Sequence, residues 1–210
     1  MRVKKENILR KSAISLLILF AGCIIVKEKE VNDNYIPVVA LSQKPEIEMS
    51  EDIVRSKKGD MIAFLPKDWF LVDVGEEASS DVIAVAVNPD YTLSAVFSNL
   101  KMNINKEDVI SKEGLLGLAR LCFERHSKKT AGSITQEGKY KTMKLGNQSY
   151  VQFEFKGSDN PLAARSAVFI SSLDEYYEFS LIPMNFRGKP VPVQTDIDRI
   201  FQSFLATIQF

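Results

Sequence analysis

The sequence offers little from which to build a disulfide framework or a metal centre. Among 210 residues there are two cysteines, Cys23 and Cys122, and a single histidine, His126. The chain contains no C-x-x-C pair, no H-E-x-x-H motif, no G-x-S-x-G turn and no phosphate-binding loop. These absences argue against the zinc, thiol-redox, hydrolase and nucleotide-binding classes that such motifs identify. We therefore predict a protein that is not an enzyme, with no catalytic residue, no metal and no cofactor.

Cys122 and His126 are the pair that most resembles chemical machinery. Residues four apart share one face of a helix, and a cysteine beside a histidine has the atoms for a metal site or for a nucleophile with its base. No third ligand or orienting group is visible in the sequence. We favour the structural interpretation, in which Cys122 is a small core residue and His126 lies near a helix C-terminus, where a cation is favourable.

The charge balance excludes a nucleic-acid partner. The chain has 27 basic and 27 acidic residues. The first 22 residues hold five of the basic residues and one of the acidic ones, so the remainder has 22 basic and 26 acidic residues, a net charge of −4. Nucleic-acid binding and polybasic membrane attachment both need a concentrated basic surface, which this composition does not predict.

The N-terminus predicts export. Basic residues at positions 4, 5, 10 and 11 precede an apolar run over residues 13–22, and Cys23 follows. Positive charge, a short apolar segment and small residues before the cleavage point are typical of a secretory signal. The apolar run extends to residue 26 at most, 14 residues, whereas a transmembrane helix needs about 20.

The four residues that end at Cys23 carry a finer prediction. Phe20-Ala21-Gly22-Cys23 resembles a bacterial lipobox, although Phe20 replaces the usual leucine. The resemblance implies cleavage after residue 22 and acylation of Cys23. The charged and proline-containing stretch that follows predicts a polar tether over residues 23–59, in which residues 36–41 can pair as an edge strand, and the apolar pattern after it predicts one folded domain over residues 60–210. The protein would then lie in the cell envelope, anchored to a membrane by lipid and facing away from the cytoplasm, in the periplasm or at the cell surface. An uncleaved signal anchor and an unlipidated secreted protein are the alternatives.

The hydrophobic pattern after residue 60 predicts an α+β domain. Short apolar strands are expected over residues 61–65, 69–74, 82–87 and 92–99, followed by a helix that Asn105 caps. Glycines 114 and 117 weaken this helix, and they either allow its close approach to a sheet or mark a bend. Further strands follow over residues 134–137 and 139–145, then, after a turn at residues 146–147, over 150–156, and finally over 165–171 and 176–182. Val151, Phe153 and Phe155 alternate with polar residues, which predicts a sheet with one dry face.

The last segment predicts an amphipathic helix. Apolar residues recur at steps of three and four from residue 197 to residue 208. Thr195 is expected to cap the helix, paired with Asp198 three residues later. We expect this helix to lie on the dry face of the sheet and to be structural.

Three stretches carry a family resemblance. They are Phe-Leu-Pro-Lys-Asp-Trp at residues 64–69, Tyr-Tyr-Glu-Phe-Ser-Leu at residues 176–181, and Ile-Phe-Gln-Ser-Phe at residues 200–204. In this order the sequence resembles the PsbP-like and DcrB-like domains over residues 60–210. The resemblance implies an antiparallel β-sheet flanked by helices. It also implies a non-enzymatic role, in which the domain binds a membrane complex or assists its assembly, often outside the cytoplasm.

These observations predict a binding or assembly module for an envelope or membrane protein complex. We expect contact residues at Tyr176 and in the irregular segment after it, at Phe186 and Arg187. The alternative is a ligand-binding or hydrolytic envelope domain with a pocket between sheet and helix. A pocket lined by Cys122, His126 and a strand carboxylate would favour the alternative, and an exposed Tyr/Phe patch would favour the binding module. Six aromatic residues are expected to be partly exposed: Trp69, Tyr91, Tyr140, Tyr150, Tyr176 and Tyr177.

Overall fold

A computed structural model describes residues 35–75, 79–101, 106–158, 162–185 and 188–210. Several residues named above lie outside the described residues: Phe20, Ala21, Gly22, Cys23, Asn105, Phe186 and Arg187. The predicted helix cap at Asn105 is therefore not described. The predicted signal peptide and the acylated cysteine therefore stay predictions. No helix in the described ranges is both long and apolar enough to cross a membrane.

Ten strands and two helices follow one another along the described chain. In order they are β1 (Tyr35–Ala40), β2 (Met49–Arg55), β3 (Ile62–Pro66), β4 (Phe70–Val72), β5 (Val82–Val87), β6 (Leu93–Asn99), α1 (Lys106–Lys129), β7 (Ile134–Leu145), β8 (Gln148–Gly157), β9 (Ala164–Ile170), β10 (Tyr176–Pro183) and α2 (Gln194–Thr207).

Eight of these described strands form one sheet in the order β1-β7-β8-β9-β10-β6-β5-β4. All neighbouring pairs are antiparallel except β1 and β7, which are parallel. The remaining strands, β2 and β3, form a separate antiparallel hairpin. The prediction of an α+β fold with an antiparallel sheet flanked by helices is confirmed.

The folded part of the chain includes residues that the sequence assigned to the tether. Both β1 and β2 precede residue 60, and Val54 in β2 is buried in the main core. The backbone N–H of Glu46 also donates to Ser203 Oγ of α2 at 2.9 Å. Packing of the domain therefore begins before residue 60, while the predicted cleavage point after residue 22 stays a prediction.

Helix α2 packs against one face of the sheet and against β3. Phe201 and Phe204 are buried there, and the Phe204 ring lies 5.3 Å from the Trp69 ring and 4.9 Å from the Phe179 ring, centroid to centroid. Each fully buried side chain of this size contributes about 1.5–3 kcal/mol to the free energy of unfolding. The predicted structural role of the C-terminal helix is confirmed.

The other face of the sheet is covered by α1. Leu118 and Cys122 of α1 form a second buried cluster with Val151 and Phe153 of β8. The prediction of one dry face is therefore wrong for the central strands, and α2 lies on the face opposite to Val151 and Phe153. The reason is that β8 lies between β7 and β9 with a helix on either side, so that Tyr150, on the α2 face, is buried as well.

The predicted cap of α2 is also wrong. The N-cap residue is Val193, which makes no side-chain cap, and Thr195 lies inside the helix. Asp198 is used differently, because its Oδ1 lies 2.8 Å from Nε of the buried Arg165 in β9. This ion pair connects the first turns of α2 to the sheet.

Glycines lie at the bend in α1 and at the bulge in β7, and a bend in α1 is one of the two alternatives that the sequence predicts. Gly114 has φ 63° and ψ −155°, a conformation that favours glycine, and α1 bends there. The two predicted strands around Gly138 are instead one long strand, β7, whose register with β8 shifts between Glu137 and Lys141. Gly138, at φ 65°, lies within this bulge.

Candidate functional site

The structure places a strand carboxylate beside His126, as the enzyme alternative requires. Nε2 of His126 lies 2.6 Å from Oε1 of Glu178 in β10. His126 itself lies one helical turn after Cys122 in α1. Cys122, however, has no exposed surface. Burial, followed by the negative charge of Glu178, raises the pKa of the Cys122 thiol well above its ordinary value. A neutral, inaccessible thiol is not a nucleophile, so these residues form a structural contact between α1 and the sheet.

Glu178 is the centre of this buried contact. Besides His126 it accepts a hydrogen bond from Ser180 Oγ at 3.2 Å, and the hydroxyls of Ser166 and Ser180 lie 2.6 Å apart. Burial acts to raise the pKa of Glu178, but the hydrogen bond and charge of His126, together with the serines, outweigh it and hold the pKa below 4.5. The sequence did contain a signal for this contact, because Glu178 is the one carboxylate in the otherwise mostly apolar strand over residues 176–182.

A second buried network surrounds Asp60. Its carboxylate accepts hydrogen bonds of 2.6 Å from each of three hydroxyls, those of Ser56, Ser171 and Tyr177. Burial acts to raise the pKa of Asp60, but these three donors outweigh it and hold the pKa below 3.8. Burial and the same bond to Asp60 raise the pKa of Tyr177 to about 12. The sequence analysis placed the start of the domain near Asp60 and missed this network, because its donors are distant in sequence.

Tyr177 also forms part of the wall of a cavity of about 310 Å³. The cavity lies where β6 ends and β10 begins, and the turn between β2 and β3 forms one side. Lys57 and Lys58 line it from that turn, and Lys101 lines it from the segment after β6. Neither Cys122 nor His126 lines this cavity.

The carboxylates of the cavity are already paired. Glu175 forms an ion pair with Lys58 and accepts a hydrogen bond from the side-chain amide of Asn99 at 3.2 Å. Asp81 forms an ion pair with Arg125 of α1. The hydrogen bonds from Lys58 and Asn99 lower the pKa of Glu175 below 4.5, because together they outweigh burial, which acts to raise that pKa. Glu175 is therefore ionised at neutral pH, and both carboxylates are paired with basic side chains of the protein.

An apolar surface lies at the opposite side of the sheet from β1, on the edge strand β4. Phe70, Leu71 and Val72 are 37%, 50% and 38% exposed. The Phe70 ring contacts the half-exposed Tyr91 with centroids 5.5 Å apart. We call these four residues the β4 edge. In the described chain no strand pairs with the outer side of β4.

Most of the aromatic residues expected at the surface are buried. Trp69, Tyr140, Tyr150 and Tyr177 are at most 7% exposed. For two of them the hydroxyl is satisfied inside the protein, because Tyr150 donates to Gln148 Oε1 at 2.9 Å and Tyr177 donates to Asp60. The expectation of exposure holds for Tyr91.

The predicted contact residue Tyr176 occupies an intermediate position. It is half-buried and packs against the cluster under α1. Its role as a partner contact stays a prediction, like those of Phe186 and Arg187.

Comparison with known proteins identifies the fold. No family model matches the sequence, and no curated protein matches it. Among solved structures, the cyanobacterial PsbP (CyanoP) of Synechocystis sp. PCC 6803 is similar, with 16% identity, a TM-score of 0.53, and coverage of 75% of this chain and 91% of that one.

A second solved structure, the Ran-binding protein Mog1p of Saccharomyces cerevisiae, has 13% identity and a TM-score of 0.45, with 77% of this chain and 96% of that one covered. The CyanoP match agrees with the element order seen here, a mostly antiparallel sheet between a central and a C-terminal helix. The chain therefore has a PsbP-like α+β fold.

Proposed function

We propose that the protein is a membrane-anchored extracytoplasmic lipoprotein that acts as a non-enzymatic binding or assembly module for an envelope or membrane protein complex. The observation that supports binding is the β4 edge. Three apolar residues of the strand that ends the sheet are exposed there, beside the half-exposed Tyr91 of the turn between β5 and β6. Natural proteins usually protect such an edge with charges, proline, a covering segment or a short strand. The three residues of β4 include no charge and no proline, and this apolar edge favours a protein partner.

The partner proposed for the β4 edge is an extended segment of another protein. A strand added to a sheet edge gains main-chain hydrogen bonds, and alternate side chains supply specificity. On β4, Phe70 and Val72 point to one face and Leu71 to the other, because successive strand residues alternate. An apolar segment with the same alternation would bury all three side chains.

The absence of enzymatic activity is part of the proposal. Its support is the environment of the residues with the greatest chemical potential. Cys122 is fully buried with a raised thiol pKa, and the Glu178 carboxylate is occupied by His126 and Ser180.

The membrane anchor is proposed at Cys23 and rests on the sequence pattern around it. The test is the mass of the mature N-terminal peptide from membranes of the native host, with and without inhibition of the lipoprotein signal peptidase. We expect a mature peptide that begins at a diacylated Cys23, and we expect this cleaved peptide to be lost under inhibition. A chain that still begins near Met1 without the inhibitor would indicate a signal anchor. A cleaved but unlipidated N-terminus would indicate a secreted protein.

Binding through the β4 edge is tested by photocrosslinking in the native host. A photoreactive amino acid replaces Leu71, and the matched control replaces Leu173, which is 60% exposed on the hairpin between β9 and β10. We expect the probe at position 71 to crosslink one defined protein and the probe at position 173 not to crosslink that protein. The crosslink at position 71 should be lost when Val72→Lys is added. Crosslinks of the same proteins at both positions, or none at position 71, would reject this surface. Tyr176, Phe186 and Arg187 are further proposed contacts, to be probed in the same way.

A further inference from the structure

The cavity at the end of β6 carries an excess of positive charge. Lys57 and Lys101 line it, and among the described residues no carboxylate lies within ion-pair distance of either. Lys101 Nζ donates to the Ser80 carbonyl at 3.1 Å, which holds it against the cavity wall. The two carboxylates of the cavity are compensated by Lys58 and Arg125. Two lysines of the lining, Lys57 and Lys101, are therefore not compensated by any carboxylate of the described residues.

The walls of the cavity are of two kinds. Some of the lining residues are polar, among them the lysines and Asn99, and others are apolar, namely Val82 and Ile83, which are partly buried. Tyr177 also lines the cavity, and its hydroxyl donates to Asp60. The volume of about 310 Å³ is at the lower end of the range for small-molecule sites, about 300–1,000 Å³. Such a site fits a charged head with a short apolar or neutral remainder.

We propose that this cavity binds a phosphate monoester through Lys57 and Lys101. The charge count favours this class over a carboxylate, because two uncompensated ammonium groups match a dianion. A phosphate monoester is mostly dianionic at pH 7, since its second ionisation occurs at about pH 6. Lysine binds phosphate as a compact point charge. This inference is independent of the β4 edge and of the lipid anchor.

The same phosphate chemistry has two sources, a soluble phosphorylated compound and the headgroup of phosphatidic acid. Both are tested on the full chain in detergent solution by two-dimensional NMR, with glycerol 3-phosphate and with short-chain dihexanoyl phosphatidic acid as probes. We expect saturable shifts of the backbone amides of Lys57, Ile83 and Lys101. Comparable affinity for both probes would assign a soluble source, and affinity at least tenfold higher for the lipid, as an order of magnitude, would assign the headgroup.

Three variants decide whether the lysines bind the ligand. We expect Lys57→Gln and Lys101→Gln each to weaken binding roughly tenfold, the usual effect of removing one charged hydrogen bond. The control is Lys128→Gln, an exposed lysine at the end of α1, which should bind like the parent. Binding should also weaken below about pH 6, where the ligand becomes a monoanion. Linear, unsaturable shifts with both probes, or equal effects of all three substitutions, would overturn the proposal.

Discussion

Tyr177 of β10 donates its hydroxyl to the carboxylate of Asp60 at 2.6 Å, joining two residues that are 117 positions apart. Asp60 precedes β3 and also accepts from Ser171, which begins the hairpin between β9 and β10. The β2–β3 hairpin is thereby fixed to the main sheet through one buried carboxylate. The same contact positions the wall of the lysine-lined cavity.

We expect Tyr177→Phe to lower the free energy of unfolding by about 1.5–3 kcal/mol, because it removes a hydrogen bond to a buried charged group. The measurement is urea unfolding of the full chain followed by circular dichroism. The matched control is Tyr91→Phe, since Tyr91 is half-exposed and should lose less than about 0.5 kcal/mol. Equal effects of the two substitutions would mean that the bond to Asp60 adds nothing to stability.

The buried carboxylate of Glu178, in contact with His126, predicts a dependence of stability on pH. The pKa of Glu178 is lower in the folded protein than its ordinary value of 4.5. Its contribution is therefore present above pH 4.5 and is lost as the pH falls through the lower folded value. We expect Glu178→Gln to cost about 1.5–3 kcal/mol at pH 7 and its difference from the parent to narrow below pH 4.5.

The measurement for Glu178 is the free energy of unfolding at a series of pH values from neutral to strongly acid. The control is Glu137→Gln, an exposed carboxylate in β7. The control should follow the parent at every pH. A constant difference between Glu178→Gln and the parent over the whole range would contradict the prediction.

The contact between α2 and the sheet should be sensitive to Phe204. We expect Phe204→Ala to cost about 3–5 kcal/mol, because it leaves a cavity among Trp69, Phe97 and Phe179. Trp69 is the one tryptophan of the chain, so its fluorescence reports this region directly during unfolding. Phe70→Ala, at a residue 37% exposed, is the control and should cost less than about 1 kcal/mol. A similar loss in both variants would contradict the assigned core.

The bend in α1 should require glycine at position 114. An added Cβ meets no atom within 4 Å there, but the φ of 63° remains unfavourable for alanine. We expect Gly114→Ala to destabilise the protein by about 1–3 kcal/mol, as measured by thermal unfolding. Gly157→Ala is the control, since Gly157 also has open space and lacks a left-handed backbone; it should be neutral or slightly stabilising. An unchanged melting temperature for Gly114→Ala would show that α1 straightens at no cost.

Local hydrophobic patterns predicted the helices and strands well, and they predicted poorly which of these elements pack against each other. The strands over residues 82–87 and 176–182 and the C-terminal helix follow from periods of two and of 3.6. The alternation of Val151 and Phe153 predicted one apolar face, but the opposite face, with Tyr150, is buried too. Hydrophobic periodicity reports that a side chain is buried, and it does not report which helix covers it.

The candidate sites were harder to predict because their residues are distant in sequence. Asp60 receives donors from positions 56, 171 and 177. The lysine-lined cavity combines a hairpin turn, the end of β6 and the start of β10. Cys122, which the sequence interpreted as a small core residue, is buried, whereas the contact of His126 with Glu178 brings together residues 52 positions apart.

The sequence by itself determined the α+β class, the order of strands and helices from β3 onward except for the division of β7 into two strands, and the amphipathic face of α2, since these depend on local spacing and turn residues. Only the tertiary structure decided that helices cover both sheet faces, that Asp198 pairs with Arg165 instead of completing a cap, and that the β4 edge is exposed. Those features depend on which distant segments meet, and the free energy of such contacts comes from non-local packing and desolvation that no short window of sequence contains.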